Sequence, residues 1–159
     1  MVEPKLDPEV IRNETDLLAA AIHIDRYLMD AMDRLDEDFA EINSLTMQTF
    51  KQLSRNKFVL NDKVLSEKQG PGEAVTRNLE EITLYNEQME AQVETPTLRL
   101  RRLCACCDRS FNFYDAIAQA TTDEAVAETA QQLASSARER INILRAALGG
   151  QCGCECSKC

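Results

Sequence analysis

The amino-acid pattern predicts an all-α protein: a helical bundle of about four helices, with a long, coiled-coil-like first helix and a C-terminal antiparallel hairpin. Three observations lead there. Apolar residues recur at spacings of three and four along the 159-residue chain, the period of one face of a helix. Ala, Leu, Glu, Arg and Gln dominate the long segments, all good helix formers. Glycine and proline are scarce, at 5 and 4 residues, and neither occurs between Glu9 and Gln69.

Helix 1 is expected to start at Asp7-Pro8-Glu9. Asp7 would cap, Pro8 suits the first helical position, and Glu9 favours the positive end of the dipole. Val10, Leu17, Ala21, Ile24, Leu28, Ala31, Leu35, Ile42 and Leu53 follow, close to heptad spacing, with Phe39 and Phe50 beside the seam. This reading carries helix 1 to about residue 54, roughly 70 Å at 1.5 Å per residue. A break near Asn43-Ser44 is the main rival. A helix of that length exceeds a compact domain, so a second copy of the chain or a partner helix is expected along its free part.

Residues 57–65 lean toward a small β-hairpin around Asn61-Asp62; the alternative is an irregular loop whose Phe58, Val59 and Leu60 cover the bundle end. Residues 66–72, ending Gly70-Pro71-Gly72, form the clearest linker. Helix 2 is expected over residues 73–93, with Val75, Leu79, Ile82, Met89 and Val93 on one face and Tyr85 at its edge. Thr95 caps helix 3, Pro96 opens it, and the helix runs to about Ala120. Thr121-Thr122-Asp123-Glu124 has the form of a capping box and opens helix 4. That helix is expected to bury Ala125 or Val126, then Ala130, Leu133, Ala137, Ile141, Leu144 and Leu148. Gly149-Gly150 stops it. The expected organisation is one helical domain over residues 1–150 and a cysteine-rich tail over residues 151–159.

The net charge of −9 argues against nucleic-acid binding, which requires clustered cations. Residues 1–41 hold twelve acidic and four basic side chains, whereas Arg99, Arg101, Arg102 and Arg109 cluster around Asp108. No apolar window is long enough for a membrane helix, and no apolar leader segment is visible at the N-terminus. A cytoplasmic location is expected. In such a reducing compartment, neighbouring cysteines read first as metal ligands or redox thiols.

All 7 cysteines lie in two places. The tail reads C-x-C-x-C-x2-C through Cys152, Cys154, Cys156 and Cys159. Short spacers let thiolates converge on one ion or bridge two, and Gly153 and Ser157 permit the turns. Soft thiolates favour zinc, copper(I) or, less favoured here, an iron–sulfur cluster; four cysteines satisfy a closed tetrahedral zinc site. The second group is on helix 3. Cys104 and Cys107 are i, i+3 and share a face, whereas Cys106 points elsewhere. Together they are either candidate ligands or small buried apolar residues. Arg101, Arg102 and Arg109 nearby are expected to lower a thiol pKa. In an antiparallel hairpin, Cys104 and Cys107 would stand roughly 12–17 Å from the open end, within the roughly 30 Å that a nine-residue tail spans. One joint thiolate cluster is therefore expected to be within reach.

His23 is the only histidine, which reads as a packed or edge residue. No Ser-His-Asp set, P-loop or GxGxxG occurs, so no catalytic residues are expected. Glu37, Glu41, Glu80, Glu81 and Glu87 read as solvated helix faces.

Two resemblances add to this reading. The tail is similar to metallothionein-like cysteine runs. The segment from Phe113-Tyr114-Asp115-Ala116-Ile117 through Thr121-Thr122-Asp123-Glu124 to Leu133-Ala134-Ser135-Ser136-Ala137-Arg138-Glu139-Arg140-Ile141-Asn142-Ile143-Leu144 resembles the second hairpin of ferritin-like, rubrerythrin-type proteins, over about residues 103–148. The resemblance implies a bundle fold. In that family the hairpin supplies a glutamate and an E-x-x-H motif; the corresponding positions here hold Cys107, Ala137 and Arg140. The iron ligands are missing, and the family's oxidative chemistry is not implied.

The function expected from these residues is non-enzymatic soft-metal binding for storage, delivery or a structural site. The alternative is a coiled-coil assembly or adaptor protein with an incidental or disulfide-forming tail. A thiol-based redox sensor is the third reading.

Overall fold

The computed structural model describes residues 4–38, 72–90 and 96–147. Among these residues the chain is an all-α bundle: α1 spans Glu14–Asp38, α2 Glu73–Glu90, α3 Pro96–Ala120 and α4 Glu124–Ala147, preceded by a single 3-10 turn at Pro8–Val10. Helix 1 beyond Asp38, the Asn43-Ser44 break, the hairpin of residues 57–65, the linker before Gly72, the Thr95 cap and the cysteine tail lie outside the described residues.

The first helix starts seven residues later than expected. Asp7 does cap, its carboxylate accepting from the Glu9 amide at 2.9 Å, but it caps only the 3-10 turn, which ends at Ile11 in an extended conformation. Asn13 is the cap of α1: its side-chain oxygen accepts from the Asp16 amide at 2.9 Å. Two capping signals compete within seven residues, and the second wins the helix because Asp16 adds a tertiary role. Asp16 is buried, and its two carboxylate oxygens accept from Arg12 N at 3.1 Å and Gly72 N at 2.9 Å. A buried carboxylate needs such partners. Through Asp16, the first turns of α1 and α2 are held at the same end of the bundle. Asn78 on α2 strengthens the junction, accepting from Asp7 N at 3.1 Å and donating to Lys5 O at 2.9 Å.

The α3–α4 connection also differs from expectation. Thr121 is not the helix cap. Asp123 is, accepting from the Ala125 and Val126 amides at 2.9 and 3.3 Å, while Thr121 accepts from Asp123 N at 3.2 Å. The negative carboxylate at a helix start is favoured over a hydroxyl by the dipole. This tight turn lets α3 and α4 form the most extensive helix–helix contact among the described residues. Arg138 of α4 closes the outer edge, its guanidinium 4.3 Å from the centre of the Phe111 ring of α3.

The core follows the apolar stripes. Leu17, Ala21, Ile24, Leu28 and Ala31 of α1 are buried, as are Val75 and Leu79 of α2 and Val126, Ala130, Leu133, Ala137, Ile141 and Leu144 of α4. Val126 rather than Ala125 takes the first position of the α4 stripe, since Ala125 is exposed. From α3 come Leu100, Leu103, Cys104, Cys107, Phe113, Tyr114 and Ile117. Removing a large aliphatic group from such a core costs about 2–5 kcal/mol.

The core is not wholly apolar. Asp25 of α1 and Arg140 of α4 are 1% and 2% exposed, and Arg140 Nη1 donates to Asp25 Oδ1 at 2.8 Å. Burying each charge costs several kcal/mol, offset only if the partner stays in place. Single substitutions Arg140→Ala or Asp25→Ala are therefore expected to lower the unfolding free energy by about 3–5 kcal/mol. Joint replacement by Asp25→Leu and Arg140→Met is expected to return it to the wild-type level or above. Denaturant titration followed by helical circular dichroism measures all three; a single substitution costing under about 1 kcal/mol would contradict the assignment.

Candidate functional site

The helix-3 thiols stand beside the buried ion pair. Cys104 and Cys107 lie one turn apart on the inner face of α3 and are both 0% exposed. Cys106, on another face, is half-buried. The shared face of Cys104 and Cys107 follows from the spacing of three, which puts side chains side by side on a helix. It also follows from register: Leu100, Leu103, Cys104, Cys107, Tyr114 and Ile117 continue a single buried stripe.

The electrostatics of this face correct one expectation. Nearby arginines were expected to lower the thiol pKa values, yet all three are raised. Burial dominates at Cys104, against the opposing pull of Arg145, whose side chain hydrogen-bonds the sulfur. At Cys106 burial again dominates, opposed by Arg109, by a hydrogen bond from Ser110, and by Arg140 and Arg102. Cys107 is pushed well above the ordinary value, by burial first and by the neighbouring Cys106, Cys104 and Asp25, with Arg140 opposing. Removing a thiolate from water costs more than these cations return. With no metal bound, the three thiols are neutral at pH 7 and behave as small apolar residues.

Tyr114 completes the cluster. It is 1% exposed and packs its ring against Phe113 at 5.4 Å between centres. Its pKa is raised well above the ordinary value by burial and then by Asp25, with Arg140 opposing. Its hydroxyl and the Nε and Nη2 of Arg140 have no hydrogen-bond partner among the described residues. Buried donors without partners are rare in folded proteins.

Of the residues singled out in the sequence, Cys104 and Cys107 thus come together in the bundle interior. Cys152, Cys154, Cys156 and Cys159 lie outside the described residues. Cys107, Ala137 and Arg140, the positions to which the expected ferritin-like resemblance would assign ligands, are all buried. Among the described residues, no three of His, Cys, Asp and Glu gather closely enough to hold a metal ion. Glu80, Glu81 and Glu87 are exposed. Asp25, Arg140, Tyr114 and the buried Asn86 were missed by reading composition and apolar period alone. Register would have found the first two. Asp25 falls between Ala21 and Leu28 at spacings of four and three, and Arg140 between Ala137 and Leu144 at spacings of three and four, so both sit inside apolar stripes.

His23 occupies the edge position expected of it. It is half-buried, with Nε2 at 2.8 Å from Thr83 Oγ1 of α2. The Thr83 hydroxyl gives its hydrogen to Leu79 O at 2.9 Å, so its oxygen accepts from a neutral imidazole carrying hydrogen on Nε2. A groove of about 580 Å³ beside it is lined by Arg26, Tyr27, Asp30, Arg34, Asn86 and Glu87, among others. A smaller pocket of about 30 Å³ connects His23, Tyr27 and Asn86 to Cys106 and Arg109, room for a water molecule or two.

No family model, curated protein or solved structure matches the chain.

Burial, and then the neighbouring Arg26, lower the His23 pKa below its ordinary 6.5. The folded state therefore binds this proton less tightly than the unfolded chain. The contribution of neutral His23 is fully present above pH 6.5 and is lost as pH falls from there through the folded-state pKa. Burial and Arg26 both oppose protonation; Asp30 and Glu87 line the same groove. His23→Gln is expected to flatten the stability profile between pH 6.5 and 5 relative to wild type. Denaturant midpoints measured across that range check this; identical slopes for both proteins would contradict it.

Proposed function

We propose that this chain is a non-enzymatic soft-metal protein whose primary thiolate site is the tail, with Cys152, Cys154, Cys156 and Cys159 holding zinc or copper(I). The helical bundle is the folded carrier of that tail. The role is storage, delivery or a structural site.

The observation that carries this reading is the spacing C-x-C-x-C-x2-C. Four soft donors within eight residues meet the coordination number of zinc without help from any other part of the chain. Support also comes from what the bundle does with its own cysteines. Cys104 and Cys107 have ordinary structural reasons to exist, since they fill the α3 stripe at 0% exposure. The tail sequence itself shows no three-and-four apolar spacing. The chain also has a single histidine, held by Thr83, so no two-histidine metal site forms within one chain.

Zinc binding releases thiol protons, because only the thiolate is a ligand. A chain truncated after Gly150 is expected to lose its bound zinc while keeping the helical circular dichroism of the full chain. Elemental analysis of both proteins, purified side by side, decides this. Equal zinc per chain in the two would overturn the proposal.

A further inference from the structure

We propose that Cys104 and Cys107 form a second, separate site inside the bundle that binds a single copper(I) ion between two thiolates. The inference deepens the soft-metal reading by naming the ion and the ligands of an interior site, and it rests on that reading for its biological sense.

The donor set selects the ion. Two sulfurs one turn apart on a helix have Cβ atoms roughly 5–6 Å apart, close enough for both to reach one ion between them. No third His, Cys, Asp or Glu joins them among the described residues. Zinc in a structural site takes four ligands. Copper(I) is soft, prefers thiolate, and is satisfied by two sulfurs in a linear arrangement. Cys106 is half-buried and, one residue before Cys107, lies on another face of α3, so it is not counted in the pair.

The charge balance of the site points the same way. Binding breaks two S–H bonds, forms two Cu–S bonds and sends both protons to solvent; copper remains copper(I) and no electron moves. The product, two thiolates on a monovalent cation, carries one net negative charge. Burying that charge is costly unless cations face it. Arg145 and Arg140 of α4 do, against the opposing carboxylates of Asp108 near Cys104 and Asp25 near Cys107. Arg145 already hydrogen-bonds the Cys104 sulfur. Arg140 acts on Cys107 electrostatically, is 2% exposed, and has two N–H positions, Nε and Nη2, without partners. Asp25 uses one edge of this guanidinium. The remaining donors are suited to an added negative charge, which would also explain why a buried arginine keeps unmade hydrogen bonds.

The test uses the full chain with Cys152, Cys154, Cys156 and Cys159 all changed to serine, so that a failure of the tail reading leaves the result untouched. Copper(I) alone is supplied without oxygen, in competition with a chromophoric copper(I) chelator. One equivalent per chain is expected to leave the chelator, and X-ray absorption is expected to show two sulfur neighbours per copper. Adding Cys104→Ala and Cys107→Ala is expected to abolish that equivalent, with helical circular dichroism reporting the fold. Should the alanine variant not fold, the sulfur count on the serine variant decides alone. Copper left wholly with the chelator, a copper count unchanged by a folded alanine variant, or copper without two sulfur neighbours would overturn the proposal.

Discussion

The buried contact between Asp25 and Arg140 is the constraint to which the rest of the bundle conforms. It joins α1 to α4 at 2.8 Å, with both side chains almost wholly removed from water. An apolar stripe alone tolerates sliding by a helical turn, about 5.4 Å. A buried ion pair does not, because a slip leaves two uncompensated charges in the core. The pair thus acts as a register pin between helices whose neighbouring positions are mostly Ala, Leu and Ile. A second polar anchor, Asp16, works at the end of the bundle, where it holds Gly72 and so the start of α2 against α1.

The pin also sets the environment of the thiols. Cys107 and Tyr114 feel both members of the pair, with Asp25 disfavouring their ionised forms and Arg140 favouring them. Burial outweighs both, so the interior is a set of neutral sulfur and hydroxyl groups next to a salt bridge made through one contact, Arg140 Nη1 to Asp25 Oδ1. An arginine with unmade hydrogen bonds then becomes a latent partner for any negative charge formed on sulfur. This arrangement separates two kinds of cysteine in one chain. The α3 thiols are held protonated by packing, whereas the tail cysteines follow the close spacing C-x-C-x-C-x2-C.

Much of this architecture was legible in the residues. The three-and-four spacing of Val126, Ala130, Leu133, Ala137, Ile141 and Leu144 matches the buried face of α4, because a long stripe averages over local exceptions. Pro96 opens α3 as its fixed backbone angle predicts. Helix starts were harder. Asp7-Pro8-Glu9 and Asn13-Glu14-Thr15-Asp16 are both sound capping sequences, and the choice between them depends on Asp16 reaching Gly72, a contact 56 residues away. Arg140 and Asp25 were hidden for a different reason. Each is individually a surface residue type, and only their meeting across two helices makes burial affordable. The thiol pKa direction was hidden likewise, since local arginines are visible in sequence but depth of burial is not.

The proposed reading, soft metal on the tail cysteines and on the Cys104–Cys107 pair, makes a definite statement about how many ions the whole chain takes up. Native mass spectrometry of the full chain titrated with copper(I) under reducing conditions reads it directly, since each bound ion adds its own mass. The account predicts more than one copper(I) per chain at saturation, falling when Cys152, Cys154, Cys156 and Cys159 are changed to serine. A chain that stays metal-free, or a copper count that the serine changes leave untouched, would contradict it.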